Sequence, residues 1–164
     1  MKMTEVFLKE LKNESETTRK MLSRIPDDKF GWQPHLKSMT IKRLASHIAE
    51  LPSWIGMALN TTELDFANNP YQPKDINTTE ELLVEFENNL TDNIKELERA
   101  NDDRLSEPWT LRNGDQILST GTKADIIRIS LSQIIHHRAQ LGVFLRLLDI
   151  PIPGSYGPSA DETF

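Results

Sequence analysis

Residues 132–147 read "SQIIHHRAQLGVFLRL", two adjacent histidines inside a strongly apolar run with helical spacing. On a wheel of about 100° per residue with His137 at zero, Ile126, Ser130, Leu141, Phe144 and Leu148 fall within about 40° of it. Arg128 and Arg146 fall on the opposite side. His137 is therefore expected near the centre of a buried face, with His136 about 100° away on its margin. Gln133 precedes His137 by one turn and shares its face. An imidazole buried without a partner is costly, so this helix must either satisfy its histidine or use it.

Working outward, three more segments carry the same periodicity. The first spans about residues 3 to 25, with Phe7, Leu8, Leu11, Thr18, Met21, Leu22 and Ile25 near one face, and stops at Pro26 and Asp27. The second covers about 39 to 59, with Ser38 or Thr40 as N-cap and Ile41, Leu44, Ile48, Leu51 and Ile55 as its stripe. Pro52 lies inside it and should kink it just past His47. The third begins at Thr78, followed three residues later by Glu81 in capping-box spacing, and carries Leu83, Phe86, Leu90, Ile94 and Leu97. The fourth runs from about Lys123 to Leu148.

The connections constrain the topology. Residues 60–77, "NTTELDFANNPYQPKDIN", form a long stretch without periodicity. Antiparallel neighbours need only about 2 to 8 connecting residues, so a loop this long lets helices two and three run parallel. Before the fourth helix, "WTLRNGDQILSTG" alternates around Asn113-Gly114, a hairpin signal. The expectation is an all-α chain of one domain, residues 1–164: a four-helix bundle with a long crossover and a small hairpin.

Composition removes several functions. The chain has 164 residues, 37% hydrophobic and 27% charged, with no cysteine and a net charge of −6. Disulfides, thiolate ligands and a catalytic thiol are excluded together. An acidic chain without a basic cluster is a poor nucleic-acid binder, because that affinity comes from neutralising phosphates. The start, "MKMTEVFLKELKNE", has no apolar core segment of a signal peptide, and no run reaches the roughly 18 apolar residues of a spanning helix. The expected setting is cytoplasmic, with neither nucleic acid nor membrane as partner.

A second inward histidine comes from the second helix, where Leu51, Trp54 and Ala58 share the face of His47 and Glu50 follows about one turn on. Two inward imidazoles, one carboxamide and one carboxylate, drawn from two helices, match the way bundle cores build metal sites. A single inward histidine is more often a hydrogen-bonded core residue, and periodicity alone cannot make two of them meet. Other features carry weaker claims. His35 sits in a loop, Trp32, Trp54 and Trp109 read as core or pocket wall, and Tyr156 and Ser159 belong to a tail that would dock on the bundle. The acidic pairs at 27–28 and 102–103 lie in turns and are assigned no chemistry.

Three stretches together resemble the DinB/YfiT-like superfamily of compact bundles: "KSMTIKRLASHIAELPSW", "IIHHRAQLGVFLRLL" and "IPIPGSYGPSADE". The resemblance implies a divalent-metal site of zinc, nickel or manganese with His47 and His137 as two ligands. The family's third ligand is a histidine; its position here is Gln133, a neutral and weaker donor. Glu50 would supply negative charge or act as a weak candidate catalytic base, His136 would lie outside the ligand set, and Arg138 and Gln140 would hold the fourth helix against a neighbour. The same resemblance implies a metal-dependent hydrolase or thiol-dependent transferase acting on a small molecule, with homodimerisation. The alternative is a non-catalytic dimerising or ligand-binding bundle whose metal site is weakened through Gln133.

Overall fold

The computed structural model describes residues 2–163. It is mostly helical, with α1 (Met3–Leu22), α2 (Ile41–Glu50), α3 (Ser53–Asn60), α4 (Thr79–Arg99) and α5 (Lys123–Leu147). Three short strands, β1 (Glu63–Asp65), β2 (Pro108–Asn113) and β3 (Gln116–Thr122), form one sheet in that order. Where an all-α chain of four helices with a small hairpin was expected, the described residues form five α-helices and a small three-stranded sheet. No helix among the described residues is long and apolar enough to cross a membrane.

The second expected helix breaks at the position of the expected kink. Pro52 has no amide hydrogen for the Ile48 carbonyl, so α2 stops at Glu50 and α3 restarts at Ser53. Side chains meet the carbonyls released around the break. Asn89 donates to the Ala49 carbonyl at 3.0 Å, Ser53 to that of Glu50 at 2.7 Å, and Ser130 to that of Leu51 at 2.7 Å. The break therefore leaves the Ala49, Glu50 and Leu51 carbonyls matched by side chains.

Hydrogen bonds and ion pairs fix the directions of the helices. Lys12 meets Glu98 and Arg19 meets Glu87, so α1 and α4 are antiparallel. Asn89, Asn93 and Glu96 meet Ala49, Gly56 and Asn60 in rising order, so the α2–α3 leg and α4 run parallel. The long connection makes the crossover expected of it. Lys123, Ser130 and His137 meet Leu59, Leu51 and His47, which sets α5 antiparallel to that leg. At the α3–α4 crossing, a Cβ on Gly56 would lie 2.5 Å from Asn93 Oδ1, so any larger residue would have to displace that buried side chain.

The sheet has two sources. β2 and β3 are the expected hairpin, but Asn113 pairs with Gln116 and the turn is Gly114-Asp115. Gly114 takes φ 59 at the first turn position, where the side-chain-free backbone is required. β1 was not anticipated. Three residues, Glu63–Asp65, pair parallel with β2, and Asp65 caps the arrangement by accepting from the Gly114 and Ala67 amides. Those bonds, chiefly the one from Gly114, hold its carboxyl below the ordinary carboxylate range.

The core lies between the helices and takes in Leu11, Ile41, Leu44, Ile48, Ile55, Leu82, Phe86, Leu131 and Leu141. One buried charge pair crosses it. Arg138, 3% exposed, donates to the Glu14 carbonyl at 3.0 Å and Thr18 Oγ1 at 3.1 Å on α1. Its other nitrogen lies 2.7 Å from Glu14 Oε2, at an angle that leaves this oxygen without a hydrogen bond, so the contact is Coulombic. Arg138 thus holds α5 against a neighbour, as expected.

Candidate functional site

His47 and His137 face each other across the α2–α5 interface. Their ring centroids are 4.9 Å apart, with the planes at 72°. Two facts place them there. His47 falls in the last turn of α2, just before the Pro52 break, and His137 sits at the centre of the inward stripe of α5, where Ile126, Ser130 and Leu141 are buried. His137 is 8% exposed, while Arg128 and Arg146 of the opposite stripe are exposed.

Each ring is held by its Nδ1. His47 Nδ1 lies 2.6 Å from Glu50 Oε1, and His137 Nδ1 lies 2.8 Å from Gln140 Oε1. An oxygen opposite each Nδ1 favours a proton there, and a ring that is neutral in that tautomer carries its lone pair on Nε2. Neither Nε2 has a hydrogen-bond partner among the described residues. A cleft of about 570 Å³ is lined by His47, Ile129, Ser132, Gln133, His136 and His137.

Glu50 is itself anchored. Its second oxygen accepts from the Tyr71 hydroxyl at 2.7 Å, and that hydroxyl accepts from Arg43 at 2.7 Å. Burial and the neighbouring Glu50 raise the Tyr71 phenol above its ordinary value, which keeps it a donor. Both carboxylate oxygens are engaged, so the geometry makes Glu50 an orienting group for His47 and leaves no oxygen free for the cleft. Burial lowers the His137 imidazole, the bond to Gln140 opposes this, and His47 and His136 add to the lowering. A neutral ring keeps its lone pair.

Donor chemistry decides whether these residues fit a metal. Two imidazoles, each held at Nδ1 by a side-chain oxygen, and a carboxamide on the same wall would suit a divalent transition metal held loosely, with positions left open. Among the described residues, no three His, Cys, Asp or Glu side chains gather at metal-binding separation. Gln133 lines the same cleft as the two histidines.

The remaining candidates lie around or away from this cleft. His136 is exposed on the cleft's rim, its ring 4.9 Å from that of His137. Gln140, expected to brace the helix, instead bonds His137 within α5. His35 lies outside the cleft and accepts the Lys37 amide in a local turn. Trp109 is buried with its indole donating to Thr61, and Trp32 packs edge-on against Phe144. The tail docks as expected: Tyr156 donates to Glu14 and Ser159 to the Ile152 carbonyl, both away from the histidines. Asp102 caps the start of α1 by accepting from Met3 and Thr4. Sequence reasoning missed Arg43 and Tyr71. Tyr71 lies in an aperiodic loop, where no wheel assigns a direction, and only its proximity in the fold reveals it.

With this geometry in view, comparison with known proteins is decisive at the level of family. The DinB family model matches residues 1–163. The chain belongs to the DinB family. It is 24% identical over 160 residues to the uncharacterized protein YrdA of Bacillus subtilis (strain 168), covering 95% of this chain and 89% of that one. Its fold is similar to that of the crystal structure of a DinB-like protein, YjoA, from Bacillus subtilis, with a TM-score of 0.71 at 14% identity over 96% of this chain and 99% of that one. A DinB-like protein from Bacillus cereus ATCC 10987 gives a TM-score of 0.70 at 20% identity, over 93% and 97% of the two chains. At those identities the likeness is one of fold.

Proposed function

We propose that this DinB protein holds a divalent transition metal (zinc, nickel or manganese) with His47, His137 and the weaker donor Gln133, and acts there on a small molecule as a metal-dependent hydrolase or thiol-dependent transferase. In this reading α2 and α3 together form one leg of a DinB-like four-helix bundle. The observation that carries the proposal is the pairing of the rings: Glu50 and Gln140 each hold one Nδ1, neither Nε2 has a protein partner among the described residues, and both histidines line the same cleft. A cation bound there would supply Lewis acidity. The chain's own contribution is to fix the two rings, to keep His137 neutral by burial, and to line the approach with Ile129, Ser132 and His136. A homodimer belongs to the same proposal, since Ile129, Val143 and Leu147 lie exposed along α5 and a second copy would cover them.

The second reading, a non-catalytic ligand-binding or dimerising bundle, is favoured by Gln133, which leaves the cleft without a third strong donor. Metal analysis of untagged protein separates the two. The proposal expects stoichiometric metal, lost in His47→Ala and His137→Ala. Metal-free protein whose stability does not change on adding zinc, nickel or manganese would overturn it.

A further inference from the structure

The outer face of α5 runs past the histidine cleft on both sides. On a wheel of about 100° per residue, Ile129, Gln133, His136, Gln140, Val143 and Leu147 fall within about 60° of His136. None of the six is an acid, a lysine or an arginine, on a chain of net charge −6. The two arginines at the edge of this face are committed within the chain, Arg128 to Glu10 and Arg146 to Asp161. Ile129, Val143 and Leu147 are exposed. Val143 and Leu147 also edge an apolar groove of about 430 Å³, whose far side includes Ile152 and Pro153 of the tail.

What covers this face follows from its symmetry. Ile129 and Leu147 lie equally far on either side of residue 138, as do Gln133 and Val143, and His136 and Gln140. Two copies of α5 packed antiparallel about a two-fold axis at that point set each residue opposite the other member of its pair. Apolar Ile129 then meets apolar Leu147. At the centre the match is polar. The His136 ring has no hydrogen-bond partner among the described residues, and Gln140 spends its oxygen on His137, which leaves its amide nitrogen to donate. A parallel pairing would instead set His136 against His136 and one Gln140 amide against another. Two acidic chains can also approach here without bringing like charges together.

We propose that a second copy of this chain packs its α5 antiparallel on this face and completes the histidine cleft. Val143 and Leu147 of the second copy roof the cleft over Gln133 and Ile129, and His136 accepts from Gln140 of the second copy. The pairing rests on the homodimer proposed above, gives it an axis, and requires no metal.

The chain has no cysteine, so introduced thiols report the register directly. In the chelator-treated full chain, Ile129→Cys mixed with Leu147→Cys is expected to form a disulfide-linked dimer on mild oxidation, with peptide mapping showing one chain of each. Either variant alone should stay unlinked, because like positions lie about 27 Å apart and a disulfide needs Cα atoms within about 7 Å. Leu147→Glu leaves every cleft residue of its own chain in place. It is expected to sediment as a monomer where the parent is a dimer, and to lose the parent's protection of His136 from diethyl pyrocarbonate. A parent that is monomeric throughout would overturn this proposal and the homodimer together. A dimer in which the mixture does not link, or in which either variant links to itself, would overturn this axis alone. Equal reactivity of His136 in the parent and in Leu147→Glu would show that the second copy does not cover the cleft. Zinc binding is measured separately, so failure here leaves the metal reading standing.

Discussion

Replacing Glu50 by glutamine tests the metal reading where it is most exposed to error. The carboxylate and His47 are about equally accessible, at 23% and 20% of the side chain, and 2.6 Å separates their bonded atoms. Glutamine preserves shape but removes the charge, and its amide can donate to Nδ1 and so move the ring proton to Nε2. Loss of an outer partner of a ligating histidine typically costs about 10- to 100-fold in metal affinity, or about 1.4–2.7 kcal/mol. The upper half of that range is expected here, because a bond to an ionised acceptor is roughly twice as strong as a neutral one. Gln140→Leu removes only the neutral 2.8 Å contact to His137 and should fall in the lower half. Tyr71→Phe keeps the carboxylate and should cost less than either. The assay is competition for zinc against a chromophoric chelator near neutral pH, with melting curves to show that each variant folds. If Glu50→Gln binds zinc like the parent while His47→Ala does not bind, the orienting role is wrong.

Three further outcomes are expected. Gln133→His supplies a third imidazole in the same cleft and should tighten zinc binding by at least about tenfold in the same competition, given imidazole's stronger donation to zinc; unchanged affinity would place residue 133 outside the site. Burial, opposed by Gln140 and reinforced by His47 and His136, lowers His137 below its ordinary 6.5. Between the lowered value and 6.5 the unfolded chain binds more protons, so metal-free stability rises with pH through that window and is lost as pH falls from 6.5; urea melts of His137→Gln should show a shallower slope there. Arg138→Met strands the buried Glu14 carboxylate, which should cost about 3–5 kcal/mol, roughly 10 °C in melting temperature, and adding Glu14→Gln should recover much of it.

How much of this was legible in the sequence depended on whether a residue's direction is set locally. On α5 the 3.6-residue repeat fixes which side chains point inward, so His137 and the exposed arginines could be placed without a fold. The partner of His47 could be suspected from its spacing to Glu50, because residues three apart on a helix are neighbours. The break at Pro52 was underestimated. Whether a proline bends or severs a helix depends on what meets the released carbonyls, and Asn89 and Ser130 come from distant segments. β1 was invisible because three mostly polar residues carry no alternation to read, and its pairing depends on Asp65 reaching the Gly114 amide. Tyr71 meets Glu50 only once the aperiodic loop is laid across α2.

The His47–His137 arrangement also has to be weighed against ordinary structural histidines. A histidine kept for packing or to satisfy a buried neighbour is best served by matching both ring nitrogens within the protein, since each unmatched polar atom costs free energy. Here each ring is matched at Nδ1, neither Nε2 has a protein partner among the described residues, and both residues line one cleft. Fixing two rings this way spends side-chain entropy, and through Arg43 and Tyr71 it orders further side chains for a bond that adds little to packing. Hydration of the cleft would satisfy the Nε2 atoms equally well if the rings were free to turn. What water does not require is that both rings be held at Nδ1, and the shared cation proposed above would make use of that restraint.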